Sequence, residues 1–179
     1  MDLKIIIISA LTYCVIFIFN DLILDKFHVD QYLSLVFLPS GLRVLISMVF
    51  ESSGAIGLAL GSLLVSIFYI HEPSTAYIVG NAAASGVGAF VARELCVRLL
   101  DLDVYLHQIN LKQIMWVSII FSVINSLLHQ SIYYFLEKSD NFFLNSGKML
   151  AGDLLGALLF LMLLRLFVQA YFYIIKQKR

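Results

Sequence analysis

The chain has 179 residues, of which 61% are apolar and 13% are charged. Soluble domains contain roughly 45–50% apolar and 25% charged residues, so this chain has too few polar side chains to cover a soluble fold. The mean hydropathy is +0.92 and the formal net charge is zero, which excludes a soluble enzyme, a disordered protein and a nucleic-acid-binding protein. We therefore predict an integral protein of a lipid bilayer, with residues 1–179 forming a single transmembrane domain.

Stretches with few or no charged residues locate the membrane-spanning helices. A helix needs about 20 residues to cross a bilayer core of roughly 30 Å. The chain contains six such stretches, joined by short loops, which predicts an all-α, six-helix transmembrane bundle. The predicted spans are 4–24, 32–50, 52–71, 73–92, 113–136 and 149–170.

Basic residues near the ends of the spans predict the orientation, because Lys and Arg concentrate on the cytoplasmic side. With six spans, both termini lie on one side of the membrane. That side carries seven basic residues against three on the other, which places both termini in the cytoplasm. The seven are Lys4, Arg93, Arg98, Lys112, Lys176, Lys178 and Arg179, and the three are Lys26, Lys138 and Lys148.

Pro39-Ser40-Gly41 interrupts the second span just before Arg43. Proline removes a helix hydrogen bond and glycine loosens the backbone. The motif predicts a broken or re-entrant entry, with the regular helix starting near Pro39, and a simple kink is the alternative. Irregular backbone at this depth needs a covering of protein or a water-filled cavity, which favours a polar cavity beside Arg43.

Small residues recur every four positions in the fourth span, at Gly80, Ala84, Gly88 and Ala92. Such a stripe lets two helices approach closely within a membrane. Packing within one chain is the simpler interpretation, and a homodimer through Gly80, Ala84 and Gly88 is the alternative.

Polar residues within the spans form the candidate site, because an unpartnered polar group in hydrocarbon is costly. The fifth span carries a polar face that must look into the bundle, and Asn125 and His129 belong to it. If the last span starts at residue 149, Asp153 lies roughly 6–8 Å below the outer surface of the bilayer core. Four spans place polar groups in the outer half of the membrane or near its middle, which predicts a small polar pocket open to the periplasm.

Arg43 and Asp153 are expected to pair across two helices, which would relieve much of the cost of each charge. A purely structural role for these polar groups is the alternative. The predicted ligand-binding residues are Arg43, Asn81, Asn125, His129 and Asp153.

Catalytic and metal-binding patterns are missing from the sequence. Cys14 and Cys96 have no C-x-x-C spacing, and the four histidines form no H-x-x-x-H arrangement. We expect no enzyme activity, no metal and no cofactor.

Four motifs rich in small residues follow one another along the chain. They are Leu38-Pro39-Ser40-Gly41, the G-L-A-L-G-S-L-L run at 57–64, Gly80-Asn81, and the G-D-L-L-G-A-L-L run at 152–159. In this order they resemble the motifs of the first class of bacterial membrane-associated sensor (MASE) domains. In that family the membrane domain usually precedes a cyclic-dinucleotide or histidine-kinase output module. Because this chain ends at Arg179 without one, the resemblance implies a shorter, stand-alone relative in the bacterial inner membrane.

The resemblance implies a sensory or interaction module that binds a small ligand or membrane partner and acts through a separate signalling protein. The alternative is a transport protein, such as the substrate-binding subunit of an energy-coupling-factor transporter. Those subunits usually dock their partner through A-x-x-x-A on the first helix. Here the corresponding positions are Ala10 and Cys14, so the second alanine is missing.

Overall fold

The computed structural model describes residues 2–24, 28–30, 33–102 and 110–177. A short antiparallel pair of strands, β1 (His28–Asp30) and β2 (Leu33–Ser34), follows the first helix in the chain. The described residues include five helices long and apolar enough to cross a membrane, which confirms an all-α bundle and a multi-pass membrane protein. They are α1 (Leu3–Leu24), α2 (Pro39–Phe68), α3 (Thr75–Leu99), α4 (Leu111–Phe135) and α5 (Phe142–Gln177). Of the basic residues that predict the orientation, Lys26, Lys178 and Arg179 lie outside the described ranges.

The predicted count of six helices is wrong for the described part of the chain, where five are found. The reason is that the helical parts of the predicted spans 32–50 and 52–71 belong to one element, α2. This element is interrupted at Glu51, whose backbone is not helical, with φ 51° and ψ −132°. The interruption falls between the two spans that the sequence predicts.

The two ends of α2 lie beside the same end of α1. The Leu38 backbone N–H donates to Asn20 Oδ1 at 2.8 Å, and Tyr69 Oη donates to Asp21 Oδ2 at 2.6 Å. A straight helix of this length would hold its ends about 45 Å apart, so the chain reverses direction at Glu51. We call the end of the bundle where α1 finishes the far end, and the opposite end the near end.

Residues 35–38 enter the bundle without helical structure, and the regular helix begins at Pro39, as the sequence predicts. Two glycines of α5 make room for the entering chain, because a Cβ at Gly152 or Gly156 would collide with the carbonyl oxygens of Ser34 and Phe37. The Phe37 N–H donates to the Gly152 carbonyl at 3.1 Å. The irregular backbone is therefore covered and hydrogen-bonded by protein.

Small residues bring the helices together. A Cβ on Gly57 would lie 2.5 Å from Ser9 Cβ, so α1 and the second half of α2 are in close contact. In the predicted stripe, Gly80 faces Ile132 and Gly88 faces Leu128, both on α4. The stripe is thus occupied within one chain, and a homodimer through it would require α4 to move.

Candidate functional site

Arg43 is the centre of the polar interior. It lies on the first half of α2 and is 5% exposed. Its Nη2 donates to Tyr13 Oη at 2.7 Å and to Ser85 Oγ at 3.3 Å, and its Nη1 donates to Asn125 Oδ1 at 2.8 Å. The guanidinium also lies over two aromatic rings, 5.3 Å from the centroid of Tyr13 and 5.4 Å from that of Phe37. One charged side chain therefore joins α2 to α1, α3 and α4.

The Asn125 amide connects Arg43 to Asp153. While its oxygen accepts from Arg43, its Nδ2 donates to Asp153 Oδ2 at 2.6 Å. Among the described residues no ion pair joins Arg43 directly to Asp153, so the predicted direct pair is wrong. The two side chains are instead linked through a neutral amide, which can donate on one side and accept on the other.

Asp153 lies further from the start of its helix than the sequence predicts. The predicted span starts at residue 149, but α5 begins at Phe142, so Asp153 is about 16–17 Å along the helix at 1.5 Å per residue. Tyr13, Ser85 and Asn125 lie about 15–17 Å from the far ends of their own helices by the same measure. We call these four residues, together with Arg43, the middle layer.

A second polar layer lies about 9 Å from the far ends of α2, α3 and α4 and consists of Ser62, Asn81 and His129. Asn81 Nδ2 donates to Ser62 Oγ at 3.2 Å, and His129 Nδ1 lies 3.0 Å from the Asn125 carbonyl oxygen. Because that carbonyl can only accept, Nδ1 carries a hydrogen, and in the neutral imidazole Nε2 is then an acceptor. Ser85 Oγ lies 3.0 Å from Ser62 Oγ and 3.3 Å from His129 Nε2, which joins the second layer to the middle layer.

Aromatic residues continue the polar interior toward the far end. Tyr133 Oη donates to Asn81 Oδ1 at 3.0 Å, and its ring stacks on Tyr77 with the centroids 5.3 Å apart. Lys138 Nζ lies 5.8 Å from the Tyr77 centroid and 3.3 Å from Glu72 Oε1. Hydrogen bonds and ring contacts thus link the middle layer to a charged pair at the far end.

A small pocket lies where the first half of α2 meets α3, α4 and α5. Of the five residues predicted from the sequence, Arg43, Asn125 and Asp153 line it. Asn81 and His129 do not line it, although hydrogen bonds connect them to the same network. The pocket has a volume of about 10 Å³, counted as the space open to the centre of a water molecule. This is about enough for one water molecule.

Three hydroxyl groups of the site are not among the residues predicted from the sequence. They belong to Tyr13, Ser62 and Ser85, which join the network from α1, α2 and α3. A signal is present, because Ser85 follows Asn81 by four residues and Tyr13 follows Ser9 by four. Side chains at this spacing lie on one face of a helix, so each pair marks a polar face.

Neither a cluster of metal ligands among the described residues nor a known relative indicates which chemistry this site performs. Within the described ranges, no group of three or more His, Cys, Asp or Glu side chains could hold a metal ion. No family model, curated protein or solved structure matches the chain, and the resemblance to the sensor domains stays a prediction.

Proposed function

We propose that this chain is a sensory or interaction module of the bacterial inner membrane, whose polar centre binds a small ligand or a membrane partner. The observation that carries the proposal is the reach of Arg43, which bonds α1, α3 and α4 directly and α5 through Asn125. A ligand that competes for these hydrogen bonds changes contacts of all five helices at once. A membrane sensor needs this property, because a ligand shifts an equilibrium only through differential contacts with its states.

The first half of α2 is the element suited to respond. It is only 12 residues long, between the irregular segment 35–38 and the break at Glu51. At about 1.5 Å per residue it spans about 18 Å, less than a bilayer core of roughly 30 Å. Because neither end continues into a straight helix, this half can tilt with Arg43 while the second half stays packed against α1.

The reversal at Glu51 also supports the topology that we propose. Counting the two halves of α2 separately, the chain crosses the bilayer six times and brings both termini to the near end. The excess of basic residues at that end favours the cytoplasm. A reporter that works only in the cytoplasm is expected to be active when it is fused after Arg179. Activity of a reporter that works only in the periplasm would contradict this topology.

The transport alternative is disfavoured by the surroundings of Ala10 and Cys14. A docking motif on the first helix must face outward to meet a partner subunit. Ala10 is instead 2% exposed, and a Cβ on Gly61 would lie 2.9 Å from its carbonyl oxygen. Cys14 Sγ lies 3.5 Å from the Gly61 carbonyl oxygen, so this face of α1 is packed against α2.

Capture of partners from native membranes tests the function. The tagged chain is crosslinked in the membrane, purified in mild detergent and compared with the Arg43→Gln variant. Arg93→Gln is the matched control, because Arg93 is also a buried arginine but lies at the near end, away from the pocket. We expect a kinase or cyclase with the wild type and the control, and a lower yield with Arg43→Gln.

Two outcomes of the capture experiment would contradict the proposal. Equal yields from all three proteins would show that Arg43 has no part in recognition. Capture of an ATPase pair with a coupling subunit would favour transport instead.

A further inference from the structure

Two residues that line the pocket beside Arg43 carry polar atoms that the network leaves without a hydrogen bond. Its polar lining consists of Ser40, Arg43, Ser122, Asn125 and Asp153. Two buried atoms of these residues, Arg43 Nε and Ser122 Oγ, have no hydrogen-bond partner among the described residues. Arg43 is 5% exposed and Ser122 is 2% exposed, so bulk water does not supply the missing bonds.

Ser122 differs from the neighbouring serines on its own helix. Ser118 donates to the Ile114 carbonyl at 2.9 Å, and Ser126 donates to the Val123 carbonyl at 3.0 Å. A buried helical serine can satisfy its hydroxyl group in this way. The exception at Ser122 coincides with the pocket, and a buried hydroxyl group without a partner is costly, so the pocket is where a partner for it is expected.

Size and charge define what the pocket can hold. The space of about 10 Å³ accepts a molecule of about the size of water. The lining carries one basic and one acidic side chain, Arg43 and Asp153, so its formal charge is balanced and an ion would disturb that balance. The occupant must also accept from Arg43 Nε, which can only donate.

We propose that the pocket is a binding site for a single uncharged hydrogen-bonding molecule of water size, and that water occupies it. The water accepts from Arg43 Nε and bonds Ser122 Oγ, so it links α2 to α4 on the near side of Asn125. The site stands independently of the proposed function, because water is held there whether or not a ligand binds to the middle layer.

Radiolytic hydroxyl-radical footprinting in ¹⁸O-labelled water tests this site. A bound water generates radicals in place, so Phe121, which lines the pocket and is 5% exposed, is expected to be oxidised quickly. Ser122→Val puts two methyl groups in place of the hydroxyl group, which removes one hydrogen bond and narrows the pocket. It is expected to lower the oxidation of Phe121 about fivefold to tenfold, the equivalent of one lost hydrogen bond.

Ser118→Val is the control, because Ser118 is buried on the same helix face, does not line the pocket and already bonds its own backbone. It is expected to leave the oxidation of Phe121 unchanged. Slow oxidation of Phe121 in the wild type, or equal oxidation in Ser122→Val, would overturn the proposal.

A high-resolution density map of the wild type tests the proposed water site without the use of any variant. A peak within about 3.2 Å of both Arg43 Nε and Ser122 Oγ is expected. A map that resolves both side chains and has no such peak overturns the site.

Discussion

The two buried arginines among the described residues have different kinds of hydrogen-bond partner. Arg43 is 5% and Arg93 is 7% exposed, and in each the Nε atom has no partner among the described residues. Arg93 lies at the near end and contacts two carboxylates, those of Glu51 and Glu94. Arg43 lies in the middle of the bundle, contacts neutral oxygens, and reaches Asp153 only through an amide.

The difference follows from the water available at each depth. The side chains of Glu51 and Glu94 are 52% and 35% exposed, so they bind Arg93 while remaining hydrated. Asp153 is 1% exposed and must obtain its stabilisation from protein groups. We interpret Arg93 as a structural contact between the turn of α2 and α3. The partners that Arg43 contacts directly are neutral, and the proposed function depends on their exchange for ligand atoms.

The largest expected effect comes from removing each arginine in turn. Arg43→Met leaves the Asp153 carboxylate in the bundle without its compensating charge, which costs about 3–5 kcal/mol. Arg93→Met costs about 1 kcal/mol or less, because its acidic partners reach water. Denaturant unfolding in one detergent measures both free energies. Equal losses would show that the two sites do not differ in the way proposed.

A double-mutant cycle tests whether Asn125 carries the coupling between the two middle charges. Arg43→Met combined with Asp153→Leu leaves neither charge without the other, so the double variant should recover part of the two single losses. We expect a coupling free energy of about 0.5–3 kcal/mol. In an Asn125→Ala background the coupling should fall, because the bridge is gone. Plain additivity in the wild-type background would contradict the connection between Arg43 and Asp153.

Sequence patterns locate the polar residues better than they locate their partners. The apolar spans and Pro39 predict where the helices lie, and the polar face of the fifth span predicts that His129 points inward, where it is 1% exposed. The predicted start of the last span at residue 149 is too late, because the hydropathy pattern places Lys148 in a loop, whereas α5 already begins at Phe142. Charged residues near a helix end resemble loop residues in such a pattern, so charge alone places the start of the helix too late.

The predicted direct pair of Arg43 and Asp153 is wrong for a different reason. Helical depth restricts which residues share a layer, but the rotation of each helix about its axis decides which of them touch. Asn125 stands between the two charges. A polar face in the sequence shows roughly which side of a helix points inward, but it does not fix the rotation closely enough to show which side chains touch. The tightness of the turn at Glu51 is equally hard to predict, because glutamate is not a residue that signals a positive φ.

Arg43 lies in a tightly packed interior, and glycine substitutions test that packing. A Cβ at Gly156 would overlap the Phe37 backbone, and one at Gly88 would lie 3.1 Å from Leu128 Cδ1. Gly156→Ala and Gly88→Leu should each lose about 1–3 kcal/mol in denaturant unfolding, as overpacking does. Gly147→Ala is the control, because a Cβ there has no neighbour within 4 Å. Losses at Gly147 as large as those at Gly156 would mean that the close contacts are not the cause.

The smallest expected effect concerns the turn beside Arg93 at the near end. Glu51 adopts φ 51°, and a residue with a Cβ in such a sparsely populated conformation costs about 1–3 kcal/mol. Glu51→Gly and Glu51→Ala both remove the contact with Arg93, so the difference between the two variants isolates the backbone. Glu51→Gly should be more stable than Glu51→Ala by about 1 kcal/mol, because glycine relieves the strain but loses more conformational freedom on folding.

Unfolding of both Glu51 variants under one condition measures this difference. Repeating the pair in the Arg93→Met background removes any remaining influence of the arginine, and the same difference should persist there. Two equally stable variants would show that residue 51 does not hold the positive φ on which the reversal of α2 depends. The first half of α2 would then lose the break that separates it from the second half, and the proposed tilting of this half with Arg43 would lose its structural basis.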